Sequence, residues 1–223
     1  MTSLRRIDVS HPIEVGMKTY PGIPAPESEV ILDYEASRAR YQGQCEFFIA
    51  SLHLCGNTGT YVDAPRHRYR NGVDLAALSL DRLAHVPVVV VDATGAPERG
   101  VGPDQLRGLD LAGKSLLIHT GWARHWRTDR YFESNPFLTA GACELLVESG
   151  VKLVGIDSLN IDDIHDLSRP AHTLLLGAGI PICEHLTNLG EIPASGGFLH
   201  AVPIPWVGGA TFPVRAYVIA SPS

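Results

Sequence analysis

Three short runs of aliphatic residues do most to limit what this chain can fold into. They are Val86-Pro-Val-Val-Val-Val-Asp92, Lys114-Ser-Leu-Leu-Ile-His-Thr120 and Val151-Lys-Leu-Val-Gly-Ile-Asp157. Near-continuous apolar runs of this length read as strands covered on both faces, the pattern of a parallel sheet flanked by helices. The clearest helix lies between the second and third, from Thr139 to Ser149. Thr139 is placed to cap its first turn, Glu144 lies on its exposed face, and Gly150 is the glycine expected just past its end. Strand, helix and strand in that order predict a right-handed crossover unit.

The rest of the chain reads as further short strands joined by Gly- and Pro-rich turns. Strands are expected at residues 6–9, 29–34 and 45–54, a brief one at 180–183, and two in the tail at 198–204 and 212–219. Residues 103–109 and 171–177 suit short helices, and 74–83 a loop with one helical turn. No internal repeat, linker or low-complexity segment interrupts the 223 residues. The fold class expected is α/β, one mixed domain spanning residues 1–223 with more strand than helix.

Charge narrows the partners. A formal net charge of −6 argues against nucleic acid or an anionic membrane. The basic residues are scattered apart from small groups such as Arg66, Arg68 and Arg70. No run reaches the ~18 apolar residues of a membrane span, and the N-terminal stretch lacks the apolar segment of a signal peptide. Cys45, Cys55, Cys143 and Cys183 form no Cys-x-x-Cys pair, a poor pattern for a zinc ribbon or a disulfide framework. Reduced, mostly buried thiols in a cytoplasmic protein are expected.

The stretch Gly56-Asn-Thr-Gly-Thr-Tyr-Val-Asp-Ala-Pro-Arg-His67 carries the chemistry. Asp63 and His67 sit four apart with Pro65 between them, so a rigid non-helical turn is expected to present them. A carboxylate and an imidazole held this way suit metal binding or proton transfer. Most of the ten histidines have structural explanations. His125 fits a surface loop, His11, His53, His85 and His200 fit hydrogen-bonded structural positions, and His119 is open to either role. His172 opens a helix just after Pro170, and Glu184 ends the strand at 180–183, where α/β folds gather functional groups. Taken alone, Glu184 reads as an exposed cap on the next turn. Together, Asp63, His67, His172 and Glu184 offer the oxygen and nitrogen donors that suit Zn²⁺ or Mn²⁺.

These residues resemble the cyclase family, the group that contains bacterial kynurenine formamidase and isatin hydrolase. Its signature, His-x-Gly-Thr-His-x-Asp-Ala-Pro-x-His, is matched at Gly59-Thr60, Asp63-Ala64-Pro65 and His67. The resemblance continues through Thr120-Gly121-Trp122, Gly155-Ile156-Asp157, His172, Glu184-His-Leu-Thr-Asn-Leu189 and Phe212-Pro-Val-Arg-Ala216. It implies a swivelling β/β/α-type fold with a mixed sheet, and a homodimer or homotetramer acting on a small molecule. It also implies metal ligands at Asp63, His172 and Glu184, a proton donor and acceptor at His67, and a substrate-lining aromatic at Tyr20.

Two departures matter. The family's two signature metal-binding histidines fall at Asn57 and Tyr61. An amide oxygen is a weak ligand, and a phenol with a pKa of ~10 a poor one, so one of the family's two metal sites is expected to be lost. The function expected is a metal-dependent hydrolase opening an amide, lactam or related cyclic carbonyl. A single divalent ion would lower the pKa of its bound water to make a hydroxide nucleophile. Tyr61, assisted by Asn57, would stabilise an oxyanion, or the pair would merely fill the vacated site. Two alternatives stand beside this. One is a metal-free cyclase, dehydratase or isomerase using His67, Tyr61 and Glu184. The other is a small-molecule binding protein with a decayed site.

Overall fold

The computed structural model describes residues 4–220, so Met1–Ser3, which begin the N-terminal stretch read above, lie outside it. In chain order, β1 is Arg5–Asp8, β2 Glu27–Leu32, α1 Tyr34–Arg40, β3 Ile49–His53, β4 Tyr61–Asp63 and β5 Val86–Asp92. There follow β6 Gly100–Val101, β7 Ser115–His119, β8 Phe137–Leu138, α2 Ala140–Ser149, β9 Leu153–Ile156 and α3 Pro170–Gly177. The chain closes with β10 Ile182–Glu184, β11 Phe198–His200, β12 Thr211–Pro213 and β13 Tyr217–Ala220. Nine strands form one mixed sheet in the order β1-β13-β11-β5-β7-β9-β10-β4-β12. This is the α/β architecture expected, with more strand than helix. No helix among the described residues is long and apolar enough to cross a membrane.

The three apolar runs are the centre of that sheet. β5, β7 and β9 pair in parallel, and β10 extends the parallel block beyond β9. Alternation along these strands feeds two cores, one on each face. Val88, Leu117, Leu153 and Cys183 point into one, with side chains of β1, β11 and β13. Val91, Leu116, Ile118, Val154, Ile156 and Ile182 point into the other, covered by α2 and α3. Thr139 caps α2 by accepting from the Ala142 amide, and Gly150 ends it at φ 74°, a conformation only glycine adopts without strain.

Several expectations shift. Val86–Asp92 is not covered throughout: Pro87 and Asp92 are exposed, because β5 is where the parallel block meets the antiparallel flank. The strand expected over 212–219 is broken into β12, at one edge of the sheet, and β13, next to the edge strand β1 on the other side. α1 was not foreseen. Only two of the four thiols, Cys143 and Cys183, are buried; Cys55 is half-buried and Cys45 exposed on the outlying β2–β3 hairpin segment.

Candidate active site

The site is assembled by register. Short β4 lies antiparallel to both β10 and β12, with Tyr61 opposite Glu184 and Asp63 opposite Ile182. Cross-strand partners and alternate residues share a face, so Tyr61, Asp63 and Glu184 all project from the helix-covered side. Asp63 and Glu184 are both fully buried, which corrects the reading of Glu184 as an exposed cap. Past Asp63 the chain leaves the sheet and Pro65 starts a single 3₁₀ turn, closed by the His67 amide on the Ala64 carbonyl at 2.8 Å. The turn expected to be non-helical is therefore one tight helical turn, begun by a proline whose missing N–H costs nothing there. It sets His67 Nε2 3.9 Å from Asp63 Oδ1, with the imidazole 35% exposed.

His172 arrives from α3, whose buried face is Ala171, His172, Leu175 and Leu176. Its orientation is set by Asp162, a buried residue that nothing in the sequence singled out. The Asp162 carboxylate accepts from the Ala171 amide at 2.6 Å, the His172 amide at 3.2 Å and His172 Nδ1 at 2.6 Å. One side chain thus caps α3 and fixes the imidazole. Nε2 is left facing Asp63 Oδ2 at 3.8 Å and Glu184 Oε1 at 3.9 Å.

One donor atom from each of Asp63, His172 and Glu184 lies within 4.8 Å of the others. Glu184 is anchored by the Ile161 amide, 2.6 Å from Oε1, and by the Tyr61 hydroxyl, which donates to Oε2. Asp63 has no such support: both oxygens are buried without a hydrogen-bond partner among the described residues. Burial, and then Glu184, hold the Asp63 carboxyl well above the usual carboxylate range, with His172 pulling the other way. Burial likewise raises Glu184, against His172, Tyr61 and Ile161. Desolvation opposes charge on His172, but Asp162, Glu184 and Asp63 outweigh it and lift its pKa to about 9. An unpartnered buried carboxylate beside two further donors is a cluster that a cation would complete. Burial and then the charge of His172 push His67 the other way, below the ordinary imidazole value, so its ring is held neutral.

A cavity of about 370 Å³ opens on this cluster, lined by Tyr20, Ile23, Asn57, Tyr61, His67, Arg68, Asn160, Arg169 and His172. All seven residues named from the sequence therefore come together, five in the cavity wall and Asp63 and Glu184 beneath it. Burial, Glu184 and Asp63 raise the Tyr61 phenol well above 10, so it is a hydroxyl donor. The Asn57 oxygen accepts from Thr211 Oγ1 at 3.1 Å. Asp162, Asn160 and Arg169 were missed because loop residues carry no periodicity. Arg68 was visible only as one of a small basic group.

The Cyclase family model, described as "Putative cyclase", matches residues 7–163. A kynurenine formamidase from Salinibacter ruber is 31% identical over 216 residues, 97% of this chain and 98% of that protein. The kynurenine formamidase of Bacillus cereus is 28% identical over 214 residues, 95% of this chain and 96% of its own length. Among solved structures, isatin hydrolase A from Labrenzia aggregata superposes with a TM-score of 0.83 at 23% identity, covering 98% of this chain and 94% of that one. A structure from Bacillus stearothermophilus, described as that of a "predicted metal-dependent hydrolase", gives 0.78 at 25% identity, covering 97% of this chain and 98% of that one.

Proposed function

The chain belongs to the cyclase family and is an enzyme of the hydrolase class, and from that premise we propose that it cleaves the carbon–nitrogen bond of a small amide, lactam or related cyclic carbonyl compound. The relatives named kynurenine formamidase and isatin hydrolase support that substrate class. In this reading Asp63, His172 and Glu184 hold one divalent ion, Zn²⁺ or Mn²⁺. The observation that carries it is the buried Asp63 carboxylate with no hydrogen-bond partner among the described residues, 3.8 Å from His172 Nε2. When bound, such an ion supplies positive charge that polarises a carbonyl and acidifies water.

The chain's own residues do the rest. His67 is neutral and faces both Asp63 and the cavity, so it takes a proton from the attacking water and returns it to the leaving nitrogen. Tyr61 commits its hydroxyl to Glu184 and acts as a positioning residue, replacing a ligand with a hydrogen bond that fixes one. Asn57, its oxygen tied to Thr211, sits beside Tyr61 in the cavity wall and contacts the bound substrate. Tyr20 lines the same cavity. We also place the protein in the cytoplasm as a homodimer or homotetramer. Free thiols support the first, and the apolar side chains exposed on the β2–β3 segment, among them Val30, Ile31, Phe47 and Phe48, support the second.

Metal analysis of the purified protein beside Asp63→Ala and Glu184→Ala tests the reading. Loss of metal and of amide hydrolysis in both is expected; unchanged metal content and unchanged turnover would overturn it. A second reading, metal-free acid–base catalysis by His67, Tyr61 and Glu184, draws support from the Tyr61–Glu184 hydrogen bond, which partners that carboxylate without an ion. Full turnover after exhaustive chelation favours it, whereas activity lost to chelation and restored by Zn²⁺ or Mn²⁺ excludes it.

A further inference from the structure

Two neutral side chains of the cavity wall are already committed. The Tyr61 hydroxyl donates to Glu184 Oε2. The Asn57 oxygen accepts from Thr211 Oγ1 at 3.1 Å, and the same side chain hydrogen-bonds to Tyr61. Asn160 is different. Its Oδ1 accepts from the Asp162 amide at 3.0 Å and from Arg169 Nη1 at 3.3 Å. Its amino group has no acceptor among the described residues, and it is not one of the polar atoms that burial seals away without a partner. The residue is 8% exposed and lines the cavity, so the free N–H groups open onto that space.

That orientation is forced. Both partners of Oδ1 are donors, so turning the amide over would set its NH₂ against two N–H groups. The backbone is pinned as well. The Asn160 carbonyl accepts from Asn135 Nδ2 at 2.9 Å, and the next residue, Ile161, gives its amide to Glu184 Oε1 at 2.6 Å. Leu159 and Ile161, on either side, are buried. Asn160 therefore stands one peptide from the Glu184 carboxylate, on a segment held from both sides. A donor fixed before the substrate arrives stabilises developing charge well, because nothing has to reorganise when the charge appears.

We propose that Asn160 is the donor to the substrate's carbonyl, its Nδ2 hydrogen-bonding the oxygen of the bond to be cleaved and holding the negative charge that gathers there. The water oxygen bonds to the carbonyl carbon as the C=O π pair moves onto the oxygen facing Asn160. The pair then returns, the C–N bond breaks, and the nitrogen leaves with its electron pair and the proton that His67 took from the water. The identity of that oxygen rests on the hydrolytic reading; the free donor itself does not.

The test compares formanilide with thioformanilide, measuring kcat and KM for the natural protein, Asn160→Asp and Asn160→Ala. Aspartate keeps an oxygen for the Asp162 amide and Arg169 and removes the donor. Alanine removes both and adds no charge. Each variant should lower kcat on formanilide about 100–1000-fold with KM little changed. Sulfur is a weaker acceptor, so the ratio of kcat for the oxygen compound to that for the sulfur compound should fall about tenfold in both variants. A merely structural role would slow both compounds alike, so a ratio that holds in either folded variant overturns the inference. Should Asn160→Ala fail to fold, Asn160→Asp, which keeps both contacts, decides alone. In parallel, calorimetry measures binding of acetanilide and thioacetanilide to the same proteins. Acetanilide should bind about fivefold more weakly to each variant, and thioacetanilide should change less. Where turnover is seen, the kcat ratio decides. If neither compound is hydrolysed but acetanilide binding falls in this way, the hydrolytic reading fails and the donor stands. Without turnover, acetanilide that does not bind, or that binds natural and variant proteins alike, overturns the inference.

Discussion

Asp162→Asn isolates how much of the site is made by a residue that never faces the cavity. The carboxylate accepts three N–H groups, Oδ1 from Ala171 and Oδ2 from the amide and Nδ1 of His172. Asparagine keeps the shape but turns one oxygen into an NH₂, so whichever way the amide is turned an N–H group meets an N–H group. Losing the charge-assisted bond to the imidazole costs about 1.5–3 kcal/mol, and a weakened cap on α3 about 1 kcal/mol more. The total, about 3 kcal/mol, converts to a fall in Tm of roughly 6–12 °C for a chain of this size. His172 also loses the group that holds Nε2 towards Asp63 and Glu184. If those three bind an ion, affinity should drop about 10–100-fold, as it does when a histidine ligand loses its supporting carboxylate. Differential scanning calorimetry gives the first number, and competition against a chelating dye the second. A variant that melts lower yet binds Zn²⁺ as tightly as the natural protein would refute the argument that Asp162 orients a ligand.

Three further outcomes are expected. Tyr61→Phe removes the donor to Glu184 and should cost about 1–3 kcal/mol of stability with metal retained; a kcat loss of about 100-fold or more with stability intact would instead place the hydroxyl on the substrate. Gly56→Ala should displace the signature loop, because a Cβ there would lie 2.4 Å from the Thr211 carbonyl oxygen on β12, and native-like melting would contradict this. His11 is pushed down to about 4 by burial beneath its stack on Trp126, against an ordinary 6.5. The unfolded chain therefore binds a proton that the folded one refuses, so stability is full above pH 6.5 and falls as pH drops towards 4, by up to about 1.4 kcal/mol per pH unit. His11→Phe keeps the stack and should flatten that acid limb in denaturant titrations; an unchanged slope would show the loss lies elsewhere.

Much of this was readable before any coordinates because it is local. The three aliphatic runs stand at the sheet centre, and Thr139 and Gly150 bound α2, since strand burial and helix capping are written in consecutive residues. α1 was equally local, with Asp33 accepting from the Ala36 amide, Glu35 in its first turn and Arg38 and Arg40 in its last. It went unread because it buries only Ser37, so no apolar stripe marked it. The same locality explains why Asp63 and His67 drew attention, one proline turn apart.

What lies between distant segments was decided only in three dimensions. The resemblance to the cyclase family named Asp63, His172 and Glu184, but nothing in their spacing does, for over a hundred residues separate the first from the others. Their meeting depends on β4 entering antiparallel beside β10 and on α3 crossing the same face, choices made by the pairing of strands far apart in the chain. Tyr61 illustrates the difference. The resemblance implied that it stands where the family has a histidine; only the register that puts it opposite Glu184 shows where its hydroxyl goes. Asp162 and Arg169 complete the contrast, as loop residues whose roles come from the buried nitrogen or open cavity they face, a property that no linear pattern encodes.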